Sequence, residues 1–170
     1  IPGIDRAVDD GDTVTLGAHQ AHVLNVGGHT LGHIAYHLPE TANAFVGDAL
    51  FALGCGRVFE GTMAQMWASL QKLAALPEAT QVFCAHEYTA SNAAFAASVD
   101  PDNRVLQQRI AEITALRAQN KPTVPTQIGV ELATNPFLRA ADPAIRQHLN
   151  MAGAADVDVF AEIRALKDGF

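Results

Sequence analysis

The chain has 170 residues, 49% apolar and 17% charged, with 18 acidic against 11 basic residues for a net charge of −7. That mixture suits one folded core, with or without a helical annex, and argues against intrinsic disorder. The acidic excess and the scattered Lys and Arg argue against a nucleic-acid backbone as partner. No apolar run approaches the ~20 residues that cross a bilayer, so no membrane association is expected. Cys55 and Cys84 have neither disulfide-framework nor thiolate-metal spacing, which makes a reducing, cytoplasmic compartment the default. The chain opens at Ile1 in Pro-Gly turn chemistry without a leader, and is expected to start partway through something.

In chain order, residues 12–16 and 21–26 alternate polar and apolar around Gly17-Ala18 and predict a hairpin. Short apolar runs at 34–38, 44–46 and 81–84 predict buried strands. Between the last two, Met63, Met66, Trp67, Leu70, Leu73 and Leu76 recur at helical spacing, with Thr62 placed to cap the helix and Pro77 to stop it. From Tyr88 the strand signal ends. Asp100-Pro101 is expected to open a long helix with Val105, Leu106, Ile110, Ile113 and Leu116 on one face. A looser stretch runs from 121 to 136, and Asp142-Pro143 and Asp156 read as two further helix starts, the last helix burying Phe160, Ile163 and Leu166. Strands first and helices afterwards predict an α/β (α+β) layer followed by a helical annex.

Four polar positions follow apolar strands: His29 and His33, Asp48, and His86. Imidazole nitrogen and carboxylate oxygen suit borderline divalent ions such as zinc, iron or manganese, and strand ends hold such groups rigidly at one rim of a sheet. Gly28 and Gly47 allow close approach of backbone or metal. Each residue also has a plainer reading, as a loop histidine or a turn-forming aspartate, and spacing alone leaves both open because a metal site needs three convergent ligands. His33 stands four residues after His29, as in a helical zinc pair, but Gly32 and the strand at 34–38 argue against a helix. His33 therefore reads as structural or as supporting the ligands from behind. His19, His22, His37 and His148 have no comparable context. Glu87 reads either as a base or as an ordinary hydrogen-bonding residue.

The blocks GGHTLGHIAYHL (27–38), VGDALF (46–51), GCGRVFEGT (54–62), CAHEYT (84–89), NPFLR (135–139) and RALKDGF (164–170) resemble glyoxalase II, the hydroxyacylglutathione hydrolases, in that order over nearly the whole chain. The resemblance implies the C-terminal portion of a metallo-β-lactamase αββα sandwich over residues 1–87 and a helical substrate-binding domain over 88–170. It implies two divalent metal ions, zinc first with iron or manganese as alternatives. Their ligands would be His29, Asp48 and His86, with Asp48 bridging both ions and a hydroxide as nucleophile. The implied reaction is hydrolysis of S-(2-hydroxyacyl)glutathione, S-D-lactoylglutathione giving glutathione and D-lactate, the second step of methylglyoxal detoxification. Arg57, Phe59, Tyr88, Arg164 and Lys167 are implied to bind this small-molecule substrate, Arg139 is expected to be structural, both cysteines are assigned to packing, and a monomer is expected.

Two departures from the family pattern matter. The motif THxHxDH, which supplies the family's other metal ligands, does not occur in this sequence. Each ion is left with two protein ligands where zinc sites normally have three or four. The motif is expected to belong before Ile1, and the 170-residue chain alone is expected to be inactive, to bind metal poorly and to expose an apolar sheet edge. Phe59 stands where some members have Tyr, and Gly27 where the family has Pro. Alternatives are another enzyme of the same fold, such as a persulfide dioxygenase, or a noncatalytic module that binds glutathione or a partner; the RALKDGF ending favours glyoxalase II.

Overall fold

A computed structural model describes residues 3–170; Ile1 and Pro2, half of the predicted opening turn, lie outside the described residues. In chain order come β1 (Thr13–Leu16), β2 (His19–Asn25), β3 (Ile34–Leu38), a 3-10 turn (Pro39–Thr41), β4 (Asn43–Gly47), β5 (Leu50–Phe51), β6 (Gly54–Cys55) and α1 (Met63–Ala74). Then follow β7 (Gln81–Cys84), α2 (Thr89–Val99), α3 (Arg104–Ala118), β8 (Thr126–Gln127), α4 (Ile128–Thr134), α5 (Pro143–His148) and α6 (Asp156–Asp168).

The main sheet has the order β1-β2-β3-β4-β7-β8, and β5 pairs with β6 in a small second sheet. Neighbours in the main sheet are antiparallel except β4 and β7, which run parallel. A parallel pair needs a crossover, and α1 supplies it. Thr62 starts α1 as predicted: its hydroxyl accepts from Gln65 N at 3.1 Å while Gln65 Oε1 accepts from Thr62 N at 2.8 Å. Such a reciprocal box satisfies two donors that the first helical turn leaves free.

One face of the sheet presents Ala35, Ala44, Val46 and Val82 to Met66, Leu70 and Leu73 of α1 and to Val159, Phe160 and Ile163 of α6, forming a single core shared by both halves of the chain. Register puts Val23, Tyr36, Phe45 and Phe83 side by side on the opposite face. Phe45 and Phe83 stack there at 4.9 Å, and Phe45 and Leu16 remain 44% and 48% exposed. The apolar exposure expected from the sequence is thus a face of the sheet more than an edge, because β1 alternates threonine with Val14 and Leu16 along the edge itself. A sheet apolar on both faces belongs in a layered sandwich. Among the described residues no helix is long and apolar enough to cross a membrane.

The helical half departs from expectation in several places. α2 went unpredicted because its sequence, TASNAAFAASV, is apolar or small on all sides and shows no 3.6-residue contrast. Asn103 caps α3, accepting from Val105 N and Leu106 N at 3.0 and 3.1 Å. Asp100-Pro101 therefore does not start this helix; Asp100 closes α2 and pairs with Arg139 at 3.2 Å. Val105 is 52% exposed, and Leu106 and Ile113 carry the buried face of α3. Residues 121–136, expected to be loose, contain β8 and α4. Asp142 caps α5 as predicted, by accepting from Ala144 N at 2.8 Å. Asp156 lies inside the first turn of α6, whose cap is Ala155, and Leu166 is 42% exposed while Arg164 takes the inward position.

Glu131 on α4 is fully buried, with a carboxylate that accepts from Leu53 N at 2.8 Å, Asn135 Nδ2 at 2.9 Å and Thr126 Oγ1 at 2.6 Å. Burial pushes its pKa up, against the pull of those hydrogen bonds. Glu131→Ala strands the donors in the core and is expected to cost at least about 2 kcal/mol of stability, read as a lower denaturant midpoint.

Candidate active site

The parallel pairing of β4 and β7 decides where the chemistry sits. Both strands end at the same rim: β4 runs into Asp48, β7 into His86, and Ala85 N donates to Gly47 O at 3.1 Å. Asp48 Oδ1 and His86 Nε2 stand 3.2 Å apart. His29 arrives from the loop joining β2 to β3. Its Nδ1 lies 2.8 Å from Arg57 O. A carbonyl only accepts, so Nδ1 carries the proton and Nε2 keeps a free lone pair, the form in which neutral histidine ligates a metal.

Gly56, which the sequence reading did not single out, holds these parts together. A Cβ there would come 2.0 Å from Asp48 O and 3.1 Å from His29 Nδ1, so no larger residue fits between the two side chains' supports. The two glycines that were singled out serve other contacts. A Cβ on Gly28 would strike Met66 of α1 at 2.7 Å, and one on Gly47, which has φ +54°, would strike His33 Nε2 at 2.6 Å. They let a helix and an imidazole approach the backbone. His33 Nε2 accepts from Asp48 N at 3.0 Å, which anchors the backbone that carries the Asp48 carboxylate.

A cavity of about 600 Å³ opens at this rim, and His29, Asp48, Arg57, Phe59, His86, Tyr88, Arg164 and Lys167 all line it. The structure also places Phe51, Ser91, Asn92, Asp168 and Phe170 in its wall, which the sequence reading missed. Tyr88 stacks on His86 at 4.8 Å, Phe51 meets Tyr88 edge-on at 5.4 Å, and Phe59 lies against His29 at 5.0 Å. Arg164, in the same wall, is only 3% exposed, so it does not belong to a solvated basic helix face. Its Nη1 donates to Cys55 O at 3.0 Å, and its guanidinium lies 5.0 Å over the Phe137 ring. The cavity wall therefore combines two imidazoles and a carboxylate with three cations.

Burial pushes the Cys55 thiol up to about 11, partly offset by Arg164, and burial raises Cys84 as well. Neither is a thiolate at neutral pH, so a nucleophilic cysteine has no support. Glu87 points away from the rim: its carboxylate accepts from Thr123 N at 2.8 Å and Thr123 Oγ1 at 2.5 Å. Partial burial raises its pKa, but the bonds from Thr123 and Thr89 and the charge of Arg117 outweigh that and bring it below the ordinary value near 4.5. A lowered folded pKa gives stability that is present above 4.5 and is lost as pH falls through the lower, folded value. Glu87→Gln is accordingly expected to lower the urea midpoint at neutral pH, with the gap to the parent closing in acid.

Donor chemistry, the His29 tautomer and the shared cavity all fit a divalent cation. The number of ligands does not complete a site: among the described residues no three His, Cys, Asp or Glu side chains cluster closely enough to hold one ion on their own.

Comparison with known proteins extends these observations. Residues 1–86 match the model of the metallo-beta-lactamase superfamily, and residues 87–170 match that of the hydroxyacylglutathione hydrolase C-terminus. Over all 170 residues the chain is 58% identical to the hydroxyacylglutathione hydrolase of Maricaulis maris and spans 66% of that relative's length. Among solved structures it resembles ETHE1 from Myxococcus xanthus with a TM-score of 0.58 at 26% identity, over 93% of this chain and 50% of that one. It also resembles TTHA1623 in a di-iron-bound form, with a TM-score of 0.51 at 27% identity, over 78% of this chain and 48% of that one.

Proposed function

The chain belongs to the hydroxyacylglutathione hydrolase family of the metallo-beta-lactamase superfamily, and from that premise we propose that the whole protein hydrolyses 2-hydroxyacyl thioesters of glutathione, S-D-lactoylglutathione among them. The observation that carries the proposal is the single cavity whose wall brings His29, Asp48 and His86 together with the cations Arg57, Arg164 and Lys167.

His29, Asp48 and His86 would hold the divalent metal, which would supply an activated water and a Lewis acid for the thioester carbonyl. Zinc is the first expectation, iron and manganese suit the same donors, and the di-iron form of the similar TTHA1623 supports a two-ion reading. The chain's own groups do the rest. The carbonyl of Arg57 fixes the His29 tautomer, and His33 pins the backbone of Asp48. Tyr88, packed on His86 in the cavity wall, is assigned as a hydroxyl donor to the substrate, and Phe59 as a pocket wall without a hydroxyl. The cations attract the carboxylates of glutathione into an otherwise acidic protein.

Residues 1–87 carry the ligands in this reading, and residues 88–170 supply most of the substrate contacts. The chain spans about two-thirds of the Maricaulis relative's length. We assign the THxHxDH ligands to the third that it does not span, and the cover of the Tyr36, Phe45 and Phe83 face to the same residues. A monomer in the cytoplasm is proposed, where Cys55 and Cys84 stay as the free thiols seen here.

Elemental analysis and a thioesterase assay test this together. The full-length protein is expected to hold about two ions and to turn over S-D-lactoylglutathione, while the 170-residue chain alone holds little metal and is inactive. A full-length protein that is metal-free and binds glutathione without turnover would instead be a binding module.

A further inference from the structure

Three cations and one carboxylate meet at the end of α6. Arg164 Nη2 donates to Asp168 Oδ1 at 2.9 Å, and Arg57 Nε stands 3.5 Å from the same oxygen. Lys167 Nζ lies over the Phe95 and Phe170 rings at 5.3 and 5.1 Å and 3.3 Å from Ser91 Oγ. All four charged side chains line the cavity. The crowding of positive charge shows in Lys167, whose pKa is lowered by burial first and then by Arg164 and Arg57.

Asp168 is the last residue of α6, where the carbonyl end of a helix disfavours an anion. Helix stability gives no reason for an aspartate there; the guanidinium groups hold it. Arg164 is independently anchored, since it is buried and also donates to Cys55 O at 3.0 Å. Arg57 is not: its side chain is 62% exposed, and its contact with the 41% exposed Asp168 is a solvent-screened pair. Arg57 is therefore the cation that a competing carboxylate detaches most readily.

We propose that Asp168 is an internal competitor for the substrate's carboxylate: it engages the same two guanidinium groups that the anionic end of the thioester needs, and so sets the affinity for anionic substrates. This rests on the glutathione-thioester reading above. An arriving carboxylate must draw Arg57 from Asp168 and then lie near a like charge, which weakens binding and speeds release. Asp168→Asn removes the charge while keeping an oxygen for Arg164.

The test uses the full-length, metal-loaded protein, titrated calorimetrically with S-methylglutathione and assayed with S-D-lactoylglutathione and with the uncharged lactoyl thioester of N-acetylcysteamine. Asp168→Asn is expected to lower the Kd for S-methylglutathione and the KM for the glutathione thioester roughly threefold to tenfold, the size of one screened unit charge at this range. The change should fall on KM rather than kcat, grow smaller as salt is raised, and be missing with the uncharged thioester. Asp168→Glu, which keeps the charge, should retain the parent Kd, and this holds the proposal testable if the asparagine variant folds poorly. A raised Kd in Asp168→Asn, or an equal shift with the uncharged thioester, overturns the proposal and leaves Asp168 a structural residue. If the unsubstituted protein neither binds S-methylglutathione nor hydrolyses its thioesters, the glutathione reading itself has failed, and that result appears before any substitution is made.

Discussion

Asp48→Asn in the full-length protein is expected to lower thioester hydrolysis by more than about 100-fold and to reduce bound metal. Loss of an outer partner of a metal ligand typically costs 10 to 100-fold, and loss of Asp48, the proposed ligand itself, is expected to exceed that. The substitution changes charge but hardly changes shape. Asp48 is held in place through its backbone N–H, which donates to His33 Nε2 at 3.0 Å, and that contact survives. Thermal stability should consequently stay within a few degrees of the parent while activity collapses. The Asp48–His86 pairing at 3.2 Å leads to the same expectation for His86→Ala. Normal metal content and rate in Asp48→Asn would remove the carboxylate from the chemistry.

Gly56→Ala is expected to damage both stability and activity. The added methyl would sit 2.0 Å from Asp48 O and 3.1 Å from His29 Nδ1, and the first of these is a main-chain atom that cannot swing aside. Relief requires moving the loop that carries Arg57 O away from His29 or moving the Asp48 backbone away from His86. The expected penalty is about 2 to 3 kcal/mol, read from the denaturant midpoint, with a loss of kcat beyond what partial unfolding explains. Gly32→Ala is the matched control. A Cβ at Gly32 meets nothing within 4 Å, so its stability should change by less than about 0.5 kcal/mol although it lies between His29 and His33. Parent-like behaviour in Gly56→Ala would show that the loop at 54–57 does not hold the ligands in register.

The parts legible in the sequence were those where burial leaves a periodic trace. The strands ending at Gly47 and Cys84 read as short apolar runs closed by Gly or polar residues, and the helix under Met66, Leu70 and Leu73 as a helical repeat. Asp48 and His86 were legible as polar residues after apolar strands, but their contact depends on β4 and β7 being parallel neighbours, which no local pattern records. The two-residue strands β5, β6 and β8 are too short to show a period. α2 is apolar or small all round, so its helical period is invisible. Arg164 and Lys167 fit a solvated basic helix face as well as a substrate site in sequence, because exposure, and not residue type, separates the two, and Asp168 beside them drew no reading. Gly56 carries no signal at all until Asp48 O is seen 2.0 Å from where its side chain would begin.

Anomalous diffraction from crystals of the full-length, metal-loaded protein addresses the three-residue site most directly. Two metal peaks are expected at the rim of β4 and β7, one within ligating distance of His29 and Asp48 and the other of Asp48 and His86. Peaks elsewhere in the molecule, or none beside Asp48, would contradict the assignment.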